Sequence, residues 1–170
     1  MGTFDATFDT LYFVFSFGLS SGGLLNLYYG GATIATAGTP TLGGDSGGIG
    51  YRHPIDPPGA ELRRGFSVTY RWGYAESYDY LAWFNRTDIT VGASKLIDDK
   101  LEAYVGAALS TVDVAITDRG PPYYDYEVSA TDTFGAFVGL ETPLTEKSHL
   151  GIELHLLNES GFGIYVEAAF

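Results

Sequence analysis

The chain has 170 residues, one Met, no Cys and a formal net charge of -12, a length that suits one domain with a sizeable core. Zero Cys excludes disulfide frameworks, Cys-ligated zinc and thiol chemistry, and an acidic balance with 9 Lys+Arg excludes nucleic acid as the main partner. Aromatic residues make up 15% of the chain and charged ones only 18%, below the usual ~25%, which excludes a disordered polymer.

Met1-Gly2-Thr3-Phe4-Asp5 lacks the basic n-region and cleavage site of a signal peptide, so an exported protein would carry this sequence in its mature form. From Thr10 to Gly44 there is no Asp, Glu, Lys or Arg. A hydropathy window over residues 11–29 suggests a spanning helix, but Ser20-Ser21-Gly22-Gly23 breaks it as a turn. Before the turn, Leu11, Phe13, Phe15, Phe17 and Leu19 alternate with Tyr12, Val14, Ser16 and Gly18, which is the period of a strand. The spacing therefore predicts a hairpin, with strands over 7–20 and 24–37, the second apolar and Gly-broken.

Residues 38–59 hold Gly43-Gly44-Asp45-Ser46-Gly47-Gly48 and His53-Pro54-Ile55-Asp56-Pro57-Pro58 and read as one long flexible connection. They lack the Lys and the following helix of a phosphate loop. Alternation resumes in 60–75, where Phe66, Val68, Tyr70, Trp72 and Tyr74 share a face with Arg64 opposite Arg63, Ser67, Thr69 and Arg71. It continues in 78–93 (Leu81, Trp83, Ile89 and Val91 opposite Arg86 and Asp88), in 100–117 (Val105 opposite Glu102 and Tyr104) and in 123–142 (Val138 opposite Glu141), whose first half stands clear of the apolar zone. It ends in 149–157 (Ile152 and Leu154 opposite Glu153 and His155) and 161–170 (Ile164 and Val166 opposite Tyr165 and Glu167). No segment has a helical period. The expectation is an all-β domain: a closed, antiparallel, eight-stranded up-and-down barrel.

The face opposite the apolar one distinguishes a soluble barrel from a membrane barrel. It is built of Gly, Ser, Thr, Tyr and Ala with scattered charges, whereas a water-facing surface is rich in Lys and Glu. The apolar face carries almost no charge over the ~9–11 residues a tilted strand needs to cross a bilayer. Arg64, at a strand end, is the exception and can reach the interface. Phe13, Phe15, Phe17, Phe66, Val68, Val105, Val138, Ile152 and Ile164 are therefore expected to face lipid. Tyr29, Tyr70, Trp72, Tyr74, Trp83 and Tyr124 are expected to form interfacial girdles. Arg63, Arg71, Arg86, Asp88, Glu102, Glu141, Glu153, His155 and Glu167 are expected to pair inside the lumen, because charges there must pair or meet water. Eight strands leave an interior filled largely by side chains, so a wide pore is not expected.

The chain ends Gly161-Phe162-Gly163-Ile164-Tyr165-Val166-Glu167-Ala168-Ala169-Phe170. An alternating last strand with a terminal Phe resembles the C-terminal signature of bacterial outer-membrane barrels. With 133–141 and 150–157, the final segment looks like a small porin-like barrel of the OmpA/OmpX/OmpW type. The resemblance implies an outer-membrane location and Phe170 as the signal read by the outer-membrane assembly machinery. It also implies a monomer whose partners are the lipid bilayer and lipopolysaccharide. Such families have a periplasmic N-terminus and long outer loops, whereas here the long 38–59 connection falls on the periplasmic side.

The expected role is structural, adhesive or narrow small-solute transport, with no cofactor and no metal. The alternatives are an outer-membrane lipid-modifying enzyme and a soluble lipocalin-like binder. For catalysis the candidates are His155 with Ser160, and His53 with Ser46 and Asp56. Neither set carries a recognisable motif. His149 reads as a solvated turn residue and His53 as part of a mobile Pro-flanked loop. Asp98-Asp99 and Asp118 read as turn residues rather than a calcium site, which needs ~6–8 oxygens.

Overall fold

Residues with alternating outward and inward side chains build nine strands that close into one barrel. A computed structural model describes residues 6–20, 22–36, 41–57, 60–98, 100–120, 125–157 and 161–169, without the side chains of 6–10, 36, 125–133, 157, 161, 162 and 169. The strands are β1 (Ala6–Gly18), β2 (Leu24–Thr36), β3 (Leu42–Pro54), β4 (Leu62–Glu76), β5 (Tyr80–Asp98), β6 (Leu101–Asp118), β7 (Asp125–Thr145), β8 (Ser148–Leu157) and β9 (Gly161–Ala169). Each pairs antiparallel with the next, as a meander. Bacterial single-chain barrels of the outer membrane have even strand numbers. With nine, the first and last strands run the same way, and β1 closes on β9 in parallel, Leu11 opposite Ile164 through Ser16 opposite Ala169.

The expectation of eight strands is corrected by β3, which occupies most of the segment read as a flexible connection. Gly43, Gly44, Gly47, Gly48 and Gly50 give this strand no apolar rhythm to read. Their absence of side chains is what the lumen uses. A Cβ on Gly48 would lie 2.7 Å from Arg71 Cγ, and one on Gly50 would lie 3.1 Å from the Tyr28 ring. Gly48 and Gly50 thus clear space for larger groups on neighbouring strands, at the entropic cost glycine carries in any strand.

The added strand also reassigns the connections. Those at 19–23, 55–61, 99–100 and 146–147 share one end of the barrel with the end of β9. The ends of β2, β4, β6 and β8 share the other with the start of β1. The long connection expected at 38–59 is thus two connections at opposite ends. The first turn forms where Ser20-Ser21-Gly22-Gly23 predicts it. Leu19 N donates to Gly23 O at 2.8 Å, Gly22 N donates to Leu19 O at 2.9 Å, and Gly22 takes a φ of 83°, a left-handed value that suits glycine.

Strand lengths are unequal. β5, β6 and β7 have 19, 18 and 21 residues, β8 and β9 only 10 and 9. The β7–β8 ladder begins only at Gly135, while residues 125–130 of β7 are already paired with β6. One half of the barrel is therefore a complete nine-stranded ring. Beyond it, β1–β7 continue as a sheet that overtops the β8–β9 hairpin.

The two halves are filled differently. In the projecting part, Ala32, Ile34, Leu42, Ala75, Ala82, Phe84, Val112, Val114 and Ile116 form a buried apolar cluster with Tyr80 against it. This corrects the expectation of a polar lumen throughout. A sheet that curls above the ring has an inner face that can only be dried by its own side chains, so it builds an ordinary hydrophobic core.

Candidate functional site

Two surfaces of the ring carry its chemistry: the outer belt and the lumen. The alternation of each strand decides which residue joins which, since successive side chains point to opposite faces. All nine residues expected to face lipid lie on the exposed face: Phe13, Phe15, Phe17, Phe66, Val68, Val105, Val138, Ile152 and Ile164. Leu25, absent from that expectation, lies opposite Phe17, and Leu27, Ile49, Ile89, Val91, Leu140, Leu154 and Leu156 extend the exposed apolar surface around the ring. Val105 is 54% exposed and Val91 57%, far above what a core position tolerates.

Tyr29, Tyr70, Trp72 and Trp83 are exposed on this outer face and Tyr74 is half-buried. They cluster toward the projecting end. Tyr70 packs on Trp72 at 5.6 Å and Tyr74 on Trp83 at 5.5 Å between ring centroids. Tyr70 donates to Asn85 Oδ1 at 3.0 Å, and Tyr74 to Asp45 Oδ2 at 3.3 Å. Rings that are apolar in body and hydrogen-bonded at the tip suit a boundary between oil and water. Tyr124 and Phe170 lie outside the described residues.

At the opposite end, Arg64 reaches the 55–61 connection. Its Nε and Nη2 donate to Asp56 at 2.9 and 2.7 Å, and its backbone N donates to the same carboxylate at 2.7 Å. Those side-chain and backbone hydrogen bonds hold the Asp56 carboxyl at about 2, below the ordinary carboxylate value. Lys95 lowers Glu61 in the same way, through a side-chain hydrogen bond.

In the lumen the expected charges form separate clusters rather than one network. Arg71, Arg86 and Asp88 meet at the centre. Arg71 Nη2 binds Asp88 Oδ2, Arg86 Nε donates to Asp88 Oδ1 at 2.7 Å, and Ser110 Oγ donates to the same oxygen at 2.6 Å. Asp88 is 4% exposed, and the Arg71 guanidinium lies 5.5 Å from the Tyr12 ring centroid, a cation–π contact. Arg63 pairs with Glu102 nearer the mouth. Glu167 receives Arg52 Nη2 at 3.1 Å and Ser16 Oγ at 2.6 Å, with Asn26 against the same hydroxyl.

A fourth group lines the wall made by β6–β9. His155 Nε2 lies 2.6 Å from Glu153 Oε1, Tyr165 donates to Glu141 Oε2 at 2.8 Å, and His149 Nδ1 lies 4.0 Å from Glu141 Oε1. The Tyr104 hydroxyl donates to Ile152 O at 3.3 Å on the same wall. Both tyrosine rings lie flat over glycines of the neighbouring strand. A Cβ on Gly139 would overlap Tyr104 and one on Gly151 would overlap Tyr165, while Phe137 covers Gly106 in the same manner. At these joints the ring occupies the space that the glycine leaves.

Sequence reasoning missed Arg52, Ser16, Asn26, Ser110, Tyr104, Tyr165 and His149 as members of these clusters. Parity carried a signal for Ser16, Ser110, Tyr104 and Tyr165, which share a face with expected lumen charges. Arg52 had none, because its strand was read as a loop. His149, read as a solvated turn residue, is the second residue of β8, and its Nδ1 lies 4.0 Å from Glu141 Oε1.

Of the catalytic candidates, His53, Ser46 and Asp56 are not brought together. His53 is not in a mobile loop but on β3, where Tyr51 Oη meets its Nδ1 at 3.0 Å and its ring packs on Phe66 at 5.6 Å. Ser46 is buried on the other face of the strand, 3.4 Å from Gly30 O, so strand parity separates it from His53. Asp56 is taken by Arg64. Ser160 lies outside the described residues, and the imidazole of His155 is turned to Glu153. Asp98 and Asp118 each accept a backbone N–H two residues on, from Lys100 at 2.7 Å and Gly120 at 2.8 Å, as turn residues do; Asp99 lies outside the described residues. No family model, curated protein or solved structure matches the chain.

Proposed function

We propose that the protein is an integral barrel of the bacterial outer membrane, a monomer whose closed lumen anchors a sheet that projects from the bilayer. One observation carries this reading. The nine-stranded ring is inverted relative to a soluble barrel, with large apolar side chains exposed on its outer face and Arg–carboxylate pairs buried within. In water such a surface costs far more than a monomer's usual apolar patches. In hydrocarbon it is the expected one, and the closed ring pairs the strand edges that lipid cannot solvate.

The aromatic residues near the projecting end meet the headgroups, where lipopolysaccharide is the outer-leaflet partner. The role is structural or adhesive. Polar clusters line the ring, and the apolar cluster beyond them leaves an ion nothing with which to replace its hydration. Transport of a small solute and lipid hydrolysis rank below this.

Refolding into phospholipid vesicles tests the reading. Insertion is expected, with β-type circular dichroism, protection of the ring from protease and near-zero conductance in a planar bilayer. A chain that folds to a monodisperse species in water without detergent overturns the membrane assignment. A large stable conductance overturns the closed lumen.

A further inference from the structure

The outer face of β3 carries a carboxylate in a clearing. Asp45 is exposed there, with Gly43 and Gly47 before and after it on the same face and Gly31 opposite it on β2. Internal packing requires none of these glycines. A Cβ on Gly43 would meet nothing within 4 Å, one on Gly31 would lie 3.8 Å from Gly44 O, and one on Gly47 would lie 3.7 Å from the Trp72 ring. Gly44, which faces the lumen, has no such freedom, since a Cβ there would overlap the Tyr74 backbone. A strand glycine without an internal reason marks a place where another molecule approaches the backbone. Aromatic residues border the clearing. Tyr29 on β2 and Trp72 on β4 both lie opposite Gly47, and the Tyr74 hydroxyl donates to Asp45 Oδ2 at 3.3 Å. No cation of the chain serves Asp45. Of the nine Lys and Arg residues, Arg52, Arg63, Arg71 and Arg86 lie in the lumen, and Arg64, Lys95, Lys100 and Lys147 lie at the opposite end. Arg119 is engaged by Glu76 at 3.6 Å.

We propose that this clearing binds a small quaternary ammonium ligand of the choline class, its charge beside Asp45 and its methyl groups against the bordering rings and the glycine backbone. The site goes beyond the reading above, since neither the anchoring nor the closed lumen uses it. Ring faces and a carboxylate both attract a cation, and both repel an anion. What the clearing lacks narrows the ligand further. A lysine ammonium brings three donors, but Glu76 is taken by Arg119 and Asp45 already receives Tyr74. A sugar brings hydroxyls that need donors as well as acceptors, whereas the glycine N–H groups belong to strands paired on both sides. A trimethylammonium group has no N–H to satisfy. It meets rings and Cα hydrogens through dispersion and cation–π attraction alone.

Both tryptophans of the chain, Trp72 and Trp83, are exposed on this face, so intrinsic fluorescence reads the site. The full chain in a polyoxyethylene detergent is titrated with choline chloride. Sodium chloride, glucose and 3,3-dimethyl-1-butanol, the uncharged isostere of choline, serve as controls. The expected result is a saturable response to choline alone, in the millimolar range. Asp45→Asn should weaken it by about two- to fivefold, the worth of one exposed charge pair. Gly31→Val fills the clearing from β2, where its Cβ makes only an ordinary contact, so the variant should keep its β-type circular dichroism and lose the response. Competition by glycerophosphocholine identifies the group as a lipid headgroup, and its failure to compete identifies a free amine. An equal response to the isostere or to glucose, a response unchanged in both variants, or no saturable response overturns the proposal. Vesicle insertion is measured separately, so failure of the site and failure of the membrane reading are distinguishable.

Discussion

Arg52 on β3 and Glu167 on β9 meet at 3.1 Å although β2 and β1 lie between their strands. The pair is therefore a brace across the lumen rather than a rung between neighbours. Glu167 is nearly buried, and its second partner, Ser16, sits on β1 at the parallel seam. One carboxylate thus ties the two ends of the meander to the strand that completes it. Removing the brace should loosen the plug at the open end. Arg52→Ala is expected to raise the planar-bilayer conductance above that of the unmodified protein, because Glu167 then draws water into the lumen. An unchanged, near-zero conductance would place the barrier wholly in the apolar cluster around Ile34 and Phe84.

The central cluster makes a sharper demand on stability. Asp88 is the buried carboxylate shared by Arg71 and Arg86. Asp88→Ala leaves both guanidinium groups without it and is expected to cost about 3–5 kcal/mol, the usual penalty for breaking a buried pair. Urea unfolding in detergent measures it. A loss below 1 kcal/mol would mean that water reaches the cluster freely.

The belt predicts a dependence on depth. Val105→Arg, on the outer face, is expected to lose about 2–4 kcal/mol of folding free energy in vesicles. The same change at Leu62, near the strand end beside Arg64, should lose about 0–1 kcal/mol. Denaturant titration in phospholipid bilayers reads both, and equal costs at the two positions would argue against a bilayer across the ring.

The ring-on-glycine joints predict coupling. Gly139→Ala pushes a methyl into the Tyr104 ring and is expected to destabilise by about 1–3 kcal/mol. With Tyr104→Ala present the methyl has room, so the double mutant should be less unstable than the two single losses added together. Strict additivity in a double-mutant cycle would show that the ring does not rest on Gly139.

The Asp56–Arg64 contact, outside the belt, predicts a pH effect. The folded-state carboxyl is held at about 2, below its ordinary value of 3.8. Its contribution is therefore fully present above about pH 4 and is lost as pH falls toward 2. Asp56→Asn should flatten that part of the stability profile and leave the rest unchanged. Unfolding midpoints from pH 6 to pH 2 compare the two chains, and parallel profiles would remove the contact from the account.

Alternation by itself determined the class of this protein. A strand's period of two is local, so Phe13, Val68, Val105, Val138 and Ile152 declare one face, and Arg71, Asp88, Glu102 and Glu167 the other, before any partner is known. The first turn was equally legible, because Gly22 supplies the backbone conformation it requires. The strand number was not legible. The glycines of β3 carry no pattern of their own and act by what they leave empty beside Arg71 and Tyr28. That missing strand hid Arg52, reversed the sides of the connections and turned an antiparallel closure into a parallel seam. For the strands that it declared, the sequence showed which side chains lie inside but not which of them meet. Arg52 and Glu167 are 115 residues apart, and only the closure of β9 on β1 brings their strands within reach of one another. The division of the interior into a polar ring and an apolar projecting core was decided in the same way. It follows from unequal strand lengths, and these set where one wall ends and another continues.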